Sequence, residues 1–375
     1  MTALLPDVDP DGLLEYSVVF TDRSLNHMSG AFQGVMRDIS GLLREVYNAD
    51  AVALIPGGGT YAMEAVARQL ATDARVMVIR NGWFSYRWTQ IFEAGVNVAE
   101  ETVMMARRTG NAPDAPFAPA PIDEVVAKIR DTRPEVVFAP HVETSSGMIL
   151  PDDYLKQVAD AVHEVGGLFV LDCIASGCIW VDMKATGVDV LISAPQKGWS
   201  ASPSAGCVML SEAAIERVKA RKSTSFAADL GKWLSIMEAY ENGGHAYHAT
   251  MPTDALKGFR DAMQETRELG FAKLAEAQWE QGRAVRAALA QRGVKSVAAE
   301  GFGAPGVVVA YTDRDDVQNG KAFAALGMQI AAGVPLQVGE GPDYKTFRLG
   351  LFGLDKLRDV PASVERLEKA LDQVF

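Results

Sequence analysis

Asp172 and Lys197 are the residues from which chemistry can be read first. Asp172 closes a short apolar run, residues 168–171, that follows the pair Gly166-Gly167; this reads as a buried parallel strand with a carboxylate at its carboxyl end. A second apolar run, residues 188–192, leads into Ser193-Ala194-Pro195-Gln196-Lys197-Gly198, which puts a lysine in a glycine-flanked loop just beyond the next strand. Open α/β sheets bind ligands at the carboxyl ends of their strands, so the two residues are expected as neighbours at one sheet edge. A lysine amine can hold an aldehyde as a Schiff base, and an anion can keep a pyridine nitrogen protonated as an electron sink. Pyridoxal phosphate (PLP) chemistry requires both. Taken singly, an Asp after a strand is more often a helix cap and a loop lysine a solvated charge, so the PLP reading depends on the motifs around them.

The elements that must position these residues follow in order. Apolar spacing predicts a helix over 32–47, then a strand over 51–55, the turn Pro56-Gly57-Gly58-Gly59-Thr60 and an amphipathic helix over 61–70. A strand, a glycine loop and a helix start make an anion site, because free N–H groups and the positive helix end converge where no side chain blocks approach. Such loops also mark plain tight turns, and there is no G-x-G-x-x-G here. A strand over 75–79 precedes Asn81-Gly82-Trp83-Phe84, residues 106–121 read as a surface loop, and a helix is expected over 122–130. The strand 135–139 ends in Pro140-His141-Val142-Glu143-Thr144-Ser145-Ser146-Gly147, and a helix over 153–165, capped by Asp152, returns to the Asp172 strand. Beyond Lys197 come a strand over 206–210 with Ser211 opening a helix, long helices over 252–267 and 269–292, a strand over 306–311, a helix near 316–326, a strand over 346–350 and a closing helix over 354–374.

Composition sets the bounds. With 375 residues, 48% hydrophobic and 22% charged, the chain is long enough for two domains. A net charge of −12 argues against nucleic acid or an anionic membrane as partner. No run of 18 apolar residues and no signal-peptide pattern occurs, so a cytoplasmic location is expected. Cys173, Cys178 and Cys207 lie in or beside central strands without metal spacing, so no metal site is expected.

The D-x-x-x-S of Asp172 to Ser176, followed 25 residues after Asp172 by a lysine in S-x-x-Q-K, resembles the fold-type I PLP enzymes of aminotransferase class V, in particular the alanine–glyoxylate and serine–glyoxylate (serine–pyruvate) aminotransferases. The likeness runs from about Asn26 to the end with the motifs in order. It implies an α/β fold, a mainly parallel sheet in a large PLP-binding domain (26–257) after an N-terminal arm (1–25), and a smaller α/β C-terminal domain (258–375). It further implies that Lys197 carries PLP, that Asp172 pairs with the pyridine nitrogen, and that Gly58, Gly59 and Thr60 hold the phosphate. Phe84, with Trp83 as an adjacent rival, would stack on the ring, and Thr144 and Gln196 would lie beside the cofactor. Tyr247-His248-Ala249-Thr250-Met251-Pro252 is similar to the family's Y-H-x-T-x-P, whose Tyr and Thr reach the partner's phosphate; this implies a homodimer with Tyr247 and Thr250 shared between sites. Phe347-Arg348-Leu349-Gly350 resembles R-[IL]-G-x-x-G, whose arginine grips the substrate carboxylate, a role suited to a planar bidentate fork.

The implied activity is transfer of an amino group from a small amino acid, of the alanine or serine type, to the 2-oxo acids glyoxylate or pyruvate. A 2-aminoethylphosphonate-type transaminase of the same class would share every motif. A lyase of the same fold would need a small-domain cysteine, and all three cysteines precede residue 208. Residues 18–24, Val18 to Ser24, depart from the family's G-P-G-P-T-type opening, which leaves the amino donor open.

Overall fold

The computed structural model describes residues 13–375; residues 1–12 of the expected N-terminal arm lie outside them. Seven strands form one sheet: β1 (Ala51–Pro56), β2 (Arg75–Arg80), β3 (Glu100–Met105), β4 (Val136–Pro140), β5 (Leu168–Asp172), β6 (Val190–Ser193) and β7 (Ala205–Leu210), in the spatial order β1-β7-β6-β5-β4-β2-β3. Pairing is parallel everywhere except on the two sides of β7, which is antiparallel to both β1 and β6. Six strands therefore deliver their carboxyl ends to one edge. A second sheet holds β8 (Val307–Tyr311), β9 (Ala331–Ala332) and β10 (Thr346–Gly350), all antiparallel, with Val309 opposite Arg348.

Ten longer helices surround the sheets: α1 (Gly30–Tyr47), α2 (Gly59–Leu70), α3 (Trp83–Glu93), α4 (Ile122–Thr132), α5 (Asp152–Glu164), α6 (Glu212–Ala220), α7 (Leu230–Glu241), α8 (Thr253–Leu269), α9 (Phe271–Gln291) and α10 (Val360–Val374). They cover both faces of the large sheet, which is why β4, β5 and β6 are buried throughout and apolar up to the Asp172 and Ser193 that end β5 and β6. This is the α/β, mainly parallel architecture expected from the sequence. One apolar core spans the large sheet and includes Phe259 and Met263 of α8. Another lies under the small sheet, with Val285, Leu289, Phe347 and Leu371. A third is made by Val142, Met148 and Ile149 against Val307, Val309 and Leu336, so apolar contact joins the two sheets. Among the described residues no helix is long and apolar enough to cross a membrane.

Several local readings change. Asp152 is the first residue of α5 and not its cap; Pro151 occupies the cap without a side-chain bond, and Asp152 and Asp153 place negative charge at the positive helix end. The helix expected near 316–326 breaks at Gly320, φ +80°, into the single turns Asp315–Gln318 and Lys321–Ala324. The closing helix divides into Leu354–Leu357 and α10, because Asp359 caps the Ala362 N–H and Pro361 sits in the new first turn. The 106–121 loop carries a two-residue ladder, Arg107–Arg108 with Phe117–Ala118, and buries Phe117.

At the amino ends of the strands, away from Asp172 and Lys197, Asp189 ties three elements together. Its carboxylate accepts from Phe169 N–H at 2.8 Å, from Ser211 Oγ at 3.0 Å and from His163 Nε2 at 2.8 Å. The bond to Asp189 raises the His163 pKa above its ordinary value against partial desolvation. A raised folded-state pKa means the contribution is fully present below the unfolded value of about 6.5 and is lost as pH rises through the folded value. Wild type should therefore lose more stability than His163→Gln between pH 6 and pH 8.5 in urea titrations; parallel pH profiles would remove the pair from the account.

Candidate functional site

The strand ends converge on a cavity of about 200 Å³ lined by Gly59, Thr60, Phe84, Arg87, Thr144, Asp172, Gln196 and Lys197, with Val142, Ile174 and Ala175. Asp172, at the end of β5, is 7% exposed, and its Oδ1 accepts from Ile174 N–H at 2.9 Å. Burial pushes its carboxyl up to about 7, with Glu143 adding to the rise and the Ile174 bond, Arg87 and Lys197 opposing it. Lys197 is half-buried beyond β6, its Nζ 5.2 Å from the centre of the Phe352 ring. Burial holds its amine below the ordinary lysine value, helped by Arg348 and Arg87 and opposed by Asp172. His141, fully buried, lies with Nδ1 2.7 Å from Ser176 Oγ, and burial takes its pKa down to about 3, so the imidazole is neutral. Its backbone N–H bonds Asp172 O at 2.8 Å, which fixes the ends of β4 and β5 against each other.

The opposite wall is α3, and a buried carboxylate holds its start. Glu143 has no exposure and accepts from Phe84 N–H at 3.1 Å, Ser85 N–H at 2.8 Å, Ser85 Oγ at 2.7 Å, Ser145 N–H at 3.1 Å and Ser145 Oγ at 2.7 Å. Free N–H groups at a helix start are the natural partners of an anion. Gly82 permits the approach: a Cβ there would collide with Ser145 Oγ and stand 2.7 Å from Glu143 Cγ. The helix so placed turns Phe84 to the cavity, whereas Trp83 packs on Tyr86 with ring centres 5.9 Å apart.

Arg87 is the residue that sequence reasoning missed. Its Nη1 donates to Thr60 Oγ1 at 3.0 Å, and its guanidinium sits 5.0 Å from the centre of the Phe84 ring. The signal was present, since Phe84 and Arg87 are three apart on a helix and share a face. Arg348 comes from β10 to the same ring, at 5.6 Å, with Nε donating to Ala332 O at 2.7 Å. Burial lowers its pKa, opposed by Glu143 and Tyr344. Neither Arg87 nor Arg348 has an ion pair among the described residues.

Besides Arg348, which reaches the Phe84 ring without lining the cavity, two groups of expected residues stand apart from the cavity wall. Gly58 caps α2 at its start with open space around it, next to Gly59 and Thr60. Tyr247 and Thr250 are exposed, bonded to each other at 3.0 Å, and do not line the cavity of their own chain.

The donor set fits PLP. The start of α2 offers an anion site, and a Cβ on Gly59 would collide with Ile174 Cδ1, so only glycine leaves this corner open. Phe84 supplies a face for a ring. The second oxygen of Asp172 carries no hydrogen bond among the described residues, and a cationic N–H against it would draw the carboxyl back into its ionised form.

Comparison with known proteins agrees in fold and family. The family model "Aminotransferase class-V" matches residues 12–300. The 2-aminoethylphosphonate–pyruvate transaminase of Paraburkholderia phymatum is 28% identical over 357 residues, covering 92% of this chain and 89% of the relative. The soluble hydrogenase 42 kDa subunit of Anabaena cylindrica is 26% identical, covering 92% and 87%. Among solved structures, alanine–glyoxylate aminotransferase from Nostoc sp. superposes with a TM-score of 0.78 at 24% identity, covering 93% of this chain and 88% of that one. Aspartate aminotransferase from Thermus thermophilus gives 0.73 at 26% identity, covering 94% of each.

Replacing Glu143 by Gln leaves one acceptor oxygen facing five donors. With charged hydrogen bonds each worth about 1.5–3 kcal/mol, Glu143→Gln should lose about 2–3 kcal/mol in urea unfolding. A change under about 0.5 kcal/mol would show that the start of α3 is held by something else.

Proposed function

Because the chain belongs to the class V aminotransferases, a PLP-dependent family, we propose that it binds PLP at Lys197 and moves an amino group from a small amino acid of the alanine or serine type to glyoxylate or pyruvate. The observation that carries this reading is the pair of strand ends, Asp172 and Lys197, opening on one cavity beneath an unpaired Arg348. When bound, PLP supplies an aldehyde carbon to which amines add and a ring that takes up the electron pair released at the substrate Cα.

The chain's own residues divide the remaining work. Asp172 holds the proton on the pyridine nitrogen; Gly58, Gly59 and Thr60 receive the phosphate at the positive end of α2; Phe84 covers one ring face, with Thr144 and Gln196 at the edges. Arg348 grips the substrate carboxylate through two parallel N–H bonds. Lys197 Nζ, held below the ordinary lysine pKa by burial and by the two arginines, would be freed when the donor's amine takes its place, and would then take the proton from the donor's Cα and return one to the acceptor's Cα in the second half-reaction. Tyr247 and Thr250, exposed and away from their own cavity, suit a role at the site of a partner chain, so the active form is a homodimer. The large domain, 26–257, then carries the cofactor residues and the small domain, 258–375, carries Arg348, in a cytoplasmic enzyme whose three cysteines are free and buried.

A second reading has its own support. Arg87 adds another unpaired guanidinium to the cavity, and a phosphonate is a dianion, so 2-aminoethylphosphonate is a candidate donor with pyruvate as acceptor. A panel of alanine, serine and 2-aminoethylphosphonate against glyoxylate, pyruvate and 2-oxoglutarate separates the two. The first reading expects the highest kcat/KM for alanine or serine, the second for the phosphonate, and a strong preference for 2-oxoglutarate rejects both.

One label and one variant extend the test. Borohydride reduction of the PLP-loaded protein, followed by peptide mapping, should mark Lys197; a mark on Lys184 or Lys222 overturns the assignment. Arg348→Ala should raise KM for donor and oxo acid together by ~30-fold, about 2 kcal/mol, because both carry the same carboxylate. Unchanged KM values toward glyoxylate and pyruvate would remove Arg348 from substrate binding.

A further inference from the structure

Arg286, on α9, is a cation without an anion. Its Nη2 donates to two carbonyls, Gly147 O at 3.2 Å and Val307 O at 3.3 Å. Its Nη1 is buried without a hydrogen-bond partner, and no ion pair involves it among the described residues. Desolvation takes its guanidinium down to about 10, with no carboxylate opposing. Gly303 makes the room, since a Cβ there would stand 2.6 Å from Nε. Replacing buried charge by an apolar chain of similar volume is often neutral or stabilising, so folding alone is a weak reason for an arginine at this position.

The groups it joins supply a better one. Gly147 ends the turn that carries Glu143 and Thr144, and its φ of +68° suits glycine. A Cβ on it would lie 3.0 Å from the backbone N of Val309, and Val309 is the cross-strand partner of Arg348. Val307, the other carbonyl, opens β8. One guanidinium thus bonds the cavity-side turn of the large sheet and the strand that supports Arg348. We infer that Arg286 is a positioning residue for transamination: it fixes the separation between Arg348 and the 143–147 turn, and so the distance between a carboxylate gripped at Arg348 and the amine of Lys197. The inference rests on Arg348 as the carboxylate site. A misplacement of about 1 Å originating away from the reacting atoms is enough to lower rates about a hundredfold.

The test uses PLP-loaded Arg286→Met, Arg286→Lys and Gly303→Ala, read by Tm, by KM and kcat for alanine and pyruvate, and by calorimetric binding of propionate, an unreactive carboxylate. Arg286→Met should keep or raise Tm while raising both KM values tenfold or more and weakening propionate equally. Arg286→Lys, which keeps a charged donor on a long stem, should recover most of that loss. Gly303→Ala, whose Cβ displaces the guanidinium without removing it, should reproduce the KM rise and decides the matter if the methionine variant does not fold. Wild-type KM and propionate affinity in Arg286→Met, or a lower Tm with unchanged KM, overturns the inference. If wild type itself binds no propionate, or Arg348→Ala binds it as well as wild type, the carboxylate site fails first.

Discussion

A carboxylate with no exposure and, among the described residues, no ion pair holds the site in shape. Glu143 is satisfied by five N–H and O–H donors, from the start of α3 and from its own turn. Buried charge is tolerated only when so fully bonded, which makes the relative placement of the two segments nearly obligatory. The consequences run outward. With the start of α3 fixed, Phe84 and Arg87 face the cavity; with the turn fixed, Thr144 joins them. The same charge raises the Asp172 carboxyl and favours protonated Arg348, so one buried anion bears on both walls of the cleft.

Charge inside the cleft runs opposite to that of the whole chain. The protein carries a net −12, yet Arg87, Lys197 and Arg348 gather around a cavity whose acidic lining residue, Asp172, is pushed toward neutrality by burial. A low-dielectric cleft with one sign of charge concentrates the opposite sign. Phosphate and carboxylate groups are the ligand chemistry that such a cationic lining complements. Burial, with the two arginines adding to it, holds the lysine below its ordinary pKa, so the cationic lining that complements an anionic ligand also favours loss of the amine's proton.

Much of this was legible because the central strands are buried on both faces and read as unbroken apolar runs; β5 and β6 could be placed, and with them Asp172 and Lys197. The glycine turn before α2 was legible as a special run at the end of a recognisable strand, and the FRLG of β10 through its likeness to the family's R-[IL]-G-x-x-G. β3 was not, since an edge strand reading Glu-Glu-Thr-Val-Met-Met is half-buried between exposed ends and carries no clean alternation. Helix breaks at Gly320 and Asp359 were passed over because apolar spacing continues through them. Arg87 and Arg286 escaped for a different reason. The three-residue spacing puts Arg87 on the Phe84 face of its helix but says nothing of Thr60, and Arg286 takes its meaning from Gly147 and Val307, partners that only the folded chain brings near.

The join between the sheets shows why an apolar contact is not sufficient there. Val142, Met148 and Ile149 meet Val307, Val309 and Leu336 through hydrophobic burial, which is strong and non-directional and so sets proximity without setting register. Register comes from directed bonds: Ile149 N–H to Phe302 O at 2.8 Å and Ala304 N–H to Gly147 O at 2.8 Å. These stitch the far end of the turn that follows Glu143 to the segment that precedes β8, with Ala304 five residues before Val309, the strand position opposite Arg348. An apolar seam could slide by a fraction of a side chain at little cost. Backbone bonds at Gly147 and Ile149 remove that freedom, and chemistry that needs groups on two walls held at fixed points depends on its removal.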